Sequence, residues 1–505
     1  MIFPRVQSRL QTNCVYRLCM IIVLCLISSL CVANSWVKSR ARSTDSTKTS
    51  HSPAVLVVET TGDRTMLLQV QPNVSFAAGG NFDGPVITVD ATKQYQEMDG
   101  FGASLTDSSA WLIWNKLNGS QKSELVGKLF NPASGIGISF LRQPMGATDF
   151  SASGNYSYDD MPPGQTDPDL THFSISHDTE YIIPLIKQAL SINRSLKVVA
   201  LPWSPPAWMK TGGAMNGGTM NTSYFPSLAQ YFVDFVKAYQ REEIPIYALS
   251  VQNEPLYSTA GYPTEDLSAR DEASFIANHL GPALMKAVLG SVKIFAYEHN
   301  WDNTTYPETV LRSSAARFIA GTSFHCYAGD PGAQSVVKAA SPNHDIWFTE
   351  CSGITSTTFA ADLVWNARNL LIGASRNWAR SVSIWNIALD QNSGPKNGTC
   401  MNCRGVVTID DSVSPAKITF NVEYYILGHL GKFVVPGAHR IESNTFGAGS
   451  IEDVAFQNPD GSLVLIAYND TDDPQSFKIV WHGQALYDTL PVNTAVTFEW
   501  RGDGR

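Results

Sequence analysis

Two glutamates in this chain stand where carboxylic acids do chemistry. Glu254 closes ALSVQNEP, residues 248–255, and Glu350 closes IWFTE, residues 346–350. Each ends a short apolar run that reads as a strand. Pro255 has no amide donor for a sheet ladder, so the first run must stop beside Glu254. Two carboxyls converging on one bond, one protonated and one ionised, are what hydrolysis of a glycosidic bond requires. Trp203 and Trp385 close two further runs and suit the apolar face of a sugar, while Asn253 suits a sugar 2-hydroxyl. The residues closing these runs include no Ser or Cys nucleophile elbow, no phosphate loop and no cluster with metal-ligand spacing. The expected chemistry therefore uses no cofactor and no metal.

Such residues need a scaffold that gathers strand ends. Eight runs qualify: 98–105, 138–144, 197–204, 247–254, 293–299, 322–327, 346–350 and 382–386. Helical patterns separate them. In PSLAQYFVDFVKAYQRE, residues 226–242, Leu228, Tyr231, Phe232, Phe235, Val236 and Tyr239 recur with helical period and mark one apolar face. Eight strands alternating with helices predict an α/β fold, a (β/α)8 barrel over residues 96–438, with its active site at the C-terminal strand ends. Glu254 and Glu350 are 96 residues apart. At about 30–40 residues per βα unit, strands 4 and 7 then face each other obliquely across the mouth. A doubly wound sheet is the competing reading, weakened because no Gly-x-Gly-x-x-Gly follows the first strand. Both chain ends read as all-β. Residues 54–95 and 439–505 together predict one β-sandwich beside the barrel.

The chain has 505 residues, is 44% hydrophobic and 16% charged, and carries a net charge of -9. That balance describes a soluble globular protein and gives no reason to expect nucleic acid as a partner. The N-terminal part differs. Arginines precede an apolar run at residues 20–33, too short for a comfortable membrane span, with small residues before Ala33. Residues 1–33 are expected to be a signal peptide and 34–53 a polar linker, with an uncleaved anchor as the alternative. A secreted protein is expected, with a lysosome-like compartment as the alternative destination. Eight Asn-x-Ser/Thr sequons, at Asn73, Asn118, Asn155, Asn193, Asn221, Asn303, Asn397 and Asn469, are then glycosylation candidates, expected at the surface if used.

The ordered set GFGASLTD (100–107), LPWSPPAWMKT (201–211), SVQNEP (250–255), HCY (325–327), WFTE (347–350), SIWNIALD (383–390) and YYILGHLGKFVVPG (424–437) resembles glycoside hydrolase family 30, which includes glucosylceramidases and endo-β-1,6-glucanases. The resemblance runs from about residue 85 to the end. It implies a barrel with a β-sandwich and a retaining mechanism, with Glu254 as acid/base and Glu350 as nucleophile. It also implies a terminal-sugar subsite lined by Asp107, Trp203, Asn253, Tyr327 and Trp385. Retention predicts carboxyls about 5–5.5 Å apart. The implied substrate is a β-linked glucoside, with glucosylceramide the first expectation and β-1,6-glucan the alternative. A glycolipid substrate would imply peripheral membrane contact. Gln143 and Gly146 in RQPMGATDFS, and Cys326 inside HCY, depart from animal glucosylceramidase. The loops after strands 4 and 8 also differ, and they shape the aglycone side.

Other residues carry blander expectations. Arg142 and Asp149 read as an ion pair supporting the rim, Glu298 as a salt-bridge partner, and His299 and His325 as rim hydrogen-bonders. Cys400 and Cys403 read as a loop disulfide, and pairing of Cys326 with Cys351 is left open. A non-catalytic carbohydrate-binding protein is the distant alternative, disfavoured by two opposed carboxyls. Oligomeric state is not legible.

Overall fold

The computed structural model describes residues 53–398 and 400–502. The expected signal peptide and nearly all of the linker lie outside the described residues. Eight parallel strands form a barrel: β1 (Gly100–Ser104), β2 (Phe140–Pro144), β3 (Lys197–Leu201), β4 (Ile246–Ser250), β5 (Lys293–Asn300), β6 (Gly321–His325), β7 (Asp345–Glu350) and β8 (Ser381–Asn386). Each predicted run supplies one strand. Neighbours pair in chain order, and β1 also pairs with β8. The β7–β8 seam is tied by Arg380 N–H to Ile346 C=O at 2.8 Å and by Trp385 N–H to Cys351 C=O at 2.9 Å. A barrel strand is covered on both faces, which is why these runs are continuously apolar rather than alternating. In β1, a Cβ on Gly102 would lie 1.9 Å from the Phe140 carbonyl, so only glycine allows this approach.

Helix α1 (Asp107–Lys116) starts where Thr106 caps it, accepting the Ser109 N–H at 3.2 Å. The same hydroxyl donates to Asn386 Oδ1 at 2.7 Å, which ties the cap to the end of β8. Helix α2 (Phe225–Arg241) carries the predicted stripe, and all six of its members are buried. Burying such side chains contributes roughly 1.5–3 kcal/mol each.

The bottom of the barrel is a polar hub beneath an aromatic layer. Asp99 accepts bonds from Lys197, Arg380, Tyr247 and the Trp347 indole N–H. Burial would raise its pKa, but Arg380 and Lys197 outweigh that and lower it to about 2. Above it, Phe295 and Trp347 stack at 3.9 Å.

Strands from both chain ends form the β-sandwich. Ala54–Thr61 pairs antiparallel with Thr494–Arg501, and Val86–Glu97 pairs with His439–Ser443 and Gln475–Trp481. The sandwich has its own core, including Val57, Ile87, Phe477, Phe498 and Trp500. Helix α3 (Val422–Gly431) joins it to the barrel. Buried His429 on α3 bonds Thr497 at 2.8 Å and Thr60 at 2.9 Å, one residue from each chain end. Beyond β8 the structure adds small sheets that the sequence reading missed, among them Ala388–Asp390 with Val407–Asp410 and Lys417–Phe420. Strands of two to four residues leave too short a pattern to read. Among the described residues, no helix is long and apolar enough to cross a membrane.

Candidate active site

β4 and β7 deliver the two glutamates to one cleft of about 280 Å³ at the C-terminal mouth of the barrel. Glu254 sits at φ 46° and Glu298, at the end of β5, at φ 51°. Left-handed backbone costs roughly 1–2 kcal/mol per non-glycine residue. The hydrogen bond from Glu254 N–H to Glu298 C=O, at 3.0 Å, ties the two strained positions together. One oxygen from each of Glu254 and Glu350, and one His325 nitrogen, all lie within 4.8 Å of one another. The Glu254 side chain is 15% exposed and that of Glu350 6%.

Arg142 organises this floor. From β2 its Nη1 donates to Glu350 Oε2 at 2.5 Å, and its Nη2 donates to Asn253 Oδ1 at 2.7 Å. The same nitrogen reaches Glu298 Oε2 at 3.3 Å. The guanidinium also lies 4.8 Å from the Trp203 ring centre. The expected Arg142–Asp149 rim pair is therefore corrected: Arg142 is fully buried beneath the cleft and pairs with Glu350 and Glu298. Glu298 does act as a buried salt-bridge partner. It accepts further bonds from Ser250 at 2.6 Å, Thr349 at 2.7 Å and His325 at 3.0 Å. Burial opposes its ionisation, yet Arg142 and His325 hold its pKa down at about 2.

His325 is more than a rim hydrogen-bonder. It is fully buried, with Nε2 on Glu298 at 3.0 Å and Nδ1 on Glu254 at 3.1 Å. Burial alone would lower its pKa, but the charge of Glu350 and the bonds to Glu254 and Glu298 raise it to about 9. An imidazolium thus bridges the carboxylates. Burial pushes Glu254 up, and the bond and charge of His325 more than reverse this and lower it. His299 lines the same cleft.

Of the five predicted sugar-binding residues, the structure brings four to the cleft. Trp203 and Trp385 stack at 4.8 Å and line it, with Asn253 and Tyr327. Asn253 spends its carbonyl on Arg142, and its amide nitrogen has no protein partner among the described residues. Tyr327 donates to Glu350 Oε1 at 2.8 Å. Asp107 is the exception. As the first residue of α1 it points away from the cleft lining, and its oxygens are taken by Ala152 N–H at 2.6 Å, His177 at 2.7 Å and the Tyr181 hydroxyl at 2.5 Å. Asp149 lines the cleft instead, with Oδ1 unpartnered. Burial, then the charges of Glu350 and Glu254, raise its pKa well above the usual range. The signal for Asp149 was its place after β2; reading it as a partner for Arg142 hid it.

Residues 98–434 match the family profile described as the glycosyl hydrolase family 30 TIM-barrel domain, and residues 437–498 match that family's β-sandwich domain. The chain belongs to glycosyl hydrolase family 30. It is an O-glycosyl hydrolase. This family 30 chain is 34% identical over 408 residues to an endo-1,6-beta-D-glucanase of Aspergillus fumigatus, covering 76% of this chain and 81% of that one. It is 28% identical over 445 residues to the lysosomal acid glucosylceramidase of Mus musculus, covering 83% and 84%. The solved structure of an endo-beta1,6-glucanase superposes with a TM-score of 0.82 at 29% identity, over 89% of this chain and all of that one. Two disulfides brace the family 30 site here. Cys326–Cys351 joins the residues directly after His325 and Glu350, and Cys400–Cys403 closes the loop that forms one cleft wall.

Proposed function

We propose that this glycosidase is a secreted, retaining endo-β-1,6-glucanase. The observation that carries retention is the approach of the Glu254 and Glu350 oxygens within 4.8 Å. An inverting pair needs about 6.5–9.5 Å to admit a water. Glu350, ionised and aimed by Arg142 and Tyr327, attacks the anomeric carbon while Glu254 gives its proton to the departing oxygen. Water then gives a proton to Glu254 and attacks the same carbon, releasing Glu350 and the sugar with its configuration kept. The unpartnered amide of Asn253 meets the 2-hydroxyl, and Asp149 takes further sugar hydroxyls. Because His325 favours ionised Glu254 in the free enzyme, the proton-donating step favours acidic pH.

The choice of β-1,6-glucan rests on relatives named endo-1,6-β-glucanases at 33–34% identity, against 28% for the mouse glucosylceramidase. The first expectation, a glucosylceramide substrate with membrane contact, becomes the second reading. Secretion is supported by the apolar segment at residues 20–33 and by the two disulfides, which form in oxidising compartments. A hydrolysis panel of β-1,6-glucan, glucosylceramide and an aryl β-glucoside tests the substrate. Product anomers followed by NMR test retention. β-anomer forming first from β-1,6-glucan, and activity lost in Glu350→Gln, is the expected result. Initial α-anomer overturns the mechanism, and turnover confined to glucosylceramide overturns the substrate.

A further inference from the structure

The proton donor faces the leaving group, so the chain segment running on from Glu254 borders the side where the departing sugar sits. That segment turns at once. Tyr257 N–H donates to the Glu254 carbonyl at 2.8 Å, which closes a tight turn right after the acid. Tyr257 and Tyr262 both line the cleft. Their rings lie 6.3 Å apart and within 28° of parallel, too close together for a sugar to slip between them. Tyr257 is 44% exposed.

The loop beneath is tied at several points. Leu267 N–H bonds Pro255 C=O at 2.7 Å, and Asn216 Nδ2 bonds Ala260 C=O at 3.1 Å. The Thr264 hydroxyl accepts Thr259 N–H at 2.9 Å and Gly217 N–H at 3.1 Å. A half-exposed aromatic surface on so constrained a loop is preorganised, and binding there costs little ordering. Its chemistry suits a ring with one apolar face and polar edges. The cleft that the tyrosines share is also lined by His299 and Asn300, which are polar and suit hydroxyls better than an alkyl chain.

We infer that the Tyr257–Tyr262 surface seats the leaving-group pyranose of a β-glucan chain and so selects glucan over glycolipid. This rests on the retaining-glucanase reading above. The test compares kcat/KM on a β-1,6-linked glucose oligosaccharide with that on β-glucosyl fluoride, whose leaving group is too small to reach the tyrosines. Tyr257→Ala is expected to raise KM for the oligosaccharide about tenfold, and to lower the oligosaccharide-to-fluoride ratio by the same factor. Tyr257→Phe, which keeps the ring, restores the wild-type ratio. Calorimetry in a Glu350→Gln background with a β-1,6 trisaccharide is expected to show Kd rising about tenfold on adding Tyr257→Ala. An unchanged ratio or Kd overturns the inference. A tenfold loss on glucosylceramide with none on the oligosaccharide overturns it too, giving the surface to a lipid chain. Wild-type protein that fails to hydrolyse the fluoride overturns the glycosidase mechanism itself instead.

Discussion

Arg142 and Glu350 form an ion pair at 2.5 Å beneath the cleft, with 0% and 6% of their side chains exposed. The pair fixes the orientation of the Glu350 carboxylate. The other nitrogen of the same guanidinium holds Asn253, so the Glu350 carboxylate and the Asn253 amide are set by one rigid fork.

Arg142→Lys keeps the charge and loses the fork, since one ammonium does not reproduce two fixed directions. We expect kcat/KM to fall about 100-fold or more, on the order of 3 kcal/mol of transition-state stabilisation. Arg142→Met leaves Glu350 and Glu298 with only the His325 imidazolium as a buried counter-charge and costs about 3–5 kcal/mol of stability. Steady-state kinetics and thermal unfolding measure the two effects. A lysine variant within twofold of wild type shows that Tyr327 alone orients Glu350.

Asp149 and Asp107 separate by what each touches. Asp149→Ala removes a carboxylate that lines the cleft, and we expect kcat/KM to drop at least tenfold with little change in melting temperature. Asp107→Ala strips the acceptor from Ala152 N–H, in the segment that carries Asp149, and leaves buried donors unmatched. That costs about 1–3 kcal/mol of stability. Its effect on sugar binding comes through the displaced segment. Equal stability losses in both variants contradict this division.

His325 supplies a pH dependence with a definite sign. Its folded pKa of about 9 lies above the unfolded value near 6.5. The imidazolium's contribution is complete below pH 6.5 and is lost as pH rises through 9. Buried Glu272, raised to about 7, and Glu265, raised by burial to about 8 despite Lys210, change stability in the same direction as they ionise. The melting temperature is therefore expected to fall between pH 6.5 and 9. In His325→Gln the fall is shallower. A flat profile in wild type refutes the imidazolium clamp.

The Cys326–Cys351 bridge closes a loop of about 25 residues whose ends carry His325, Tyr327 and Glu350. Replacing both cysteines by alanine is expected to cost about 3 kcal/mol of stability by loosening constraint on the unfolded chain. Activity measured well below the new melting temperature is expected to fall as well, because the seam beneath Glu350 loosens. Unfolding curves and kcat at 20 °C for the double variant check both parts.

The sequence by itself determined the eight strands, the helical stripe of α2, the pairing of the two chain ends into one sandwich and the place of Glu254 and Glu350 at the ends of strands 4 and 7. Those features are written in local periodicity and in what ends each run, such as Pro255 after Glu254, and local pattern is readable from a single chain. The tertiary structure decided who partners whom. Arg142 was legible as a strand-end cation, but its choice of Glu350 over Asp149 depends on which strands lie opposite and on the depth of its burial. The same applies to the imidazolium of His325, which exists because three carboxylates from β4, β5 and β7 surround it. Asp149 lines the cleft and Asp107 does not, for the same reason. A carboxylate belongs to a cleft only if its oxygens are left free there, and hydrogen bonds between residues 70 or more apart in the chain settle that question.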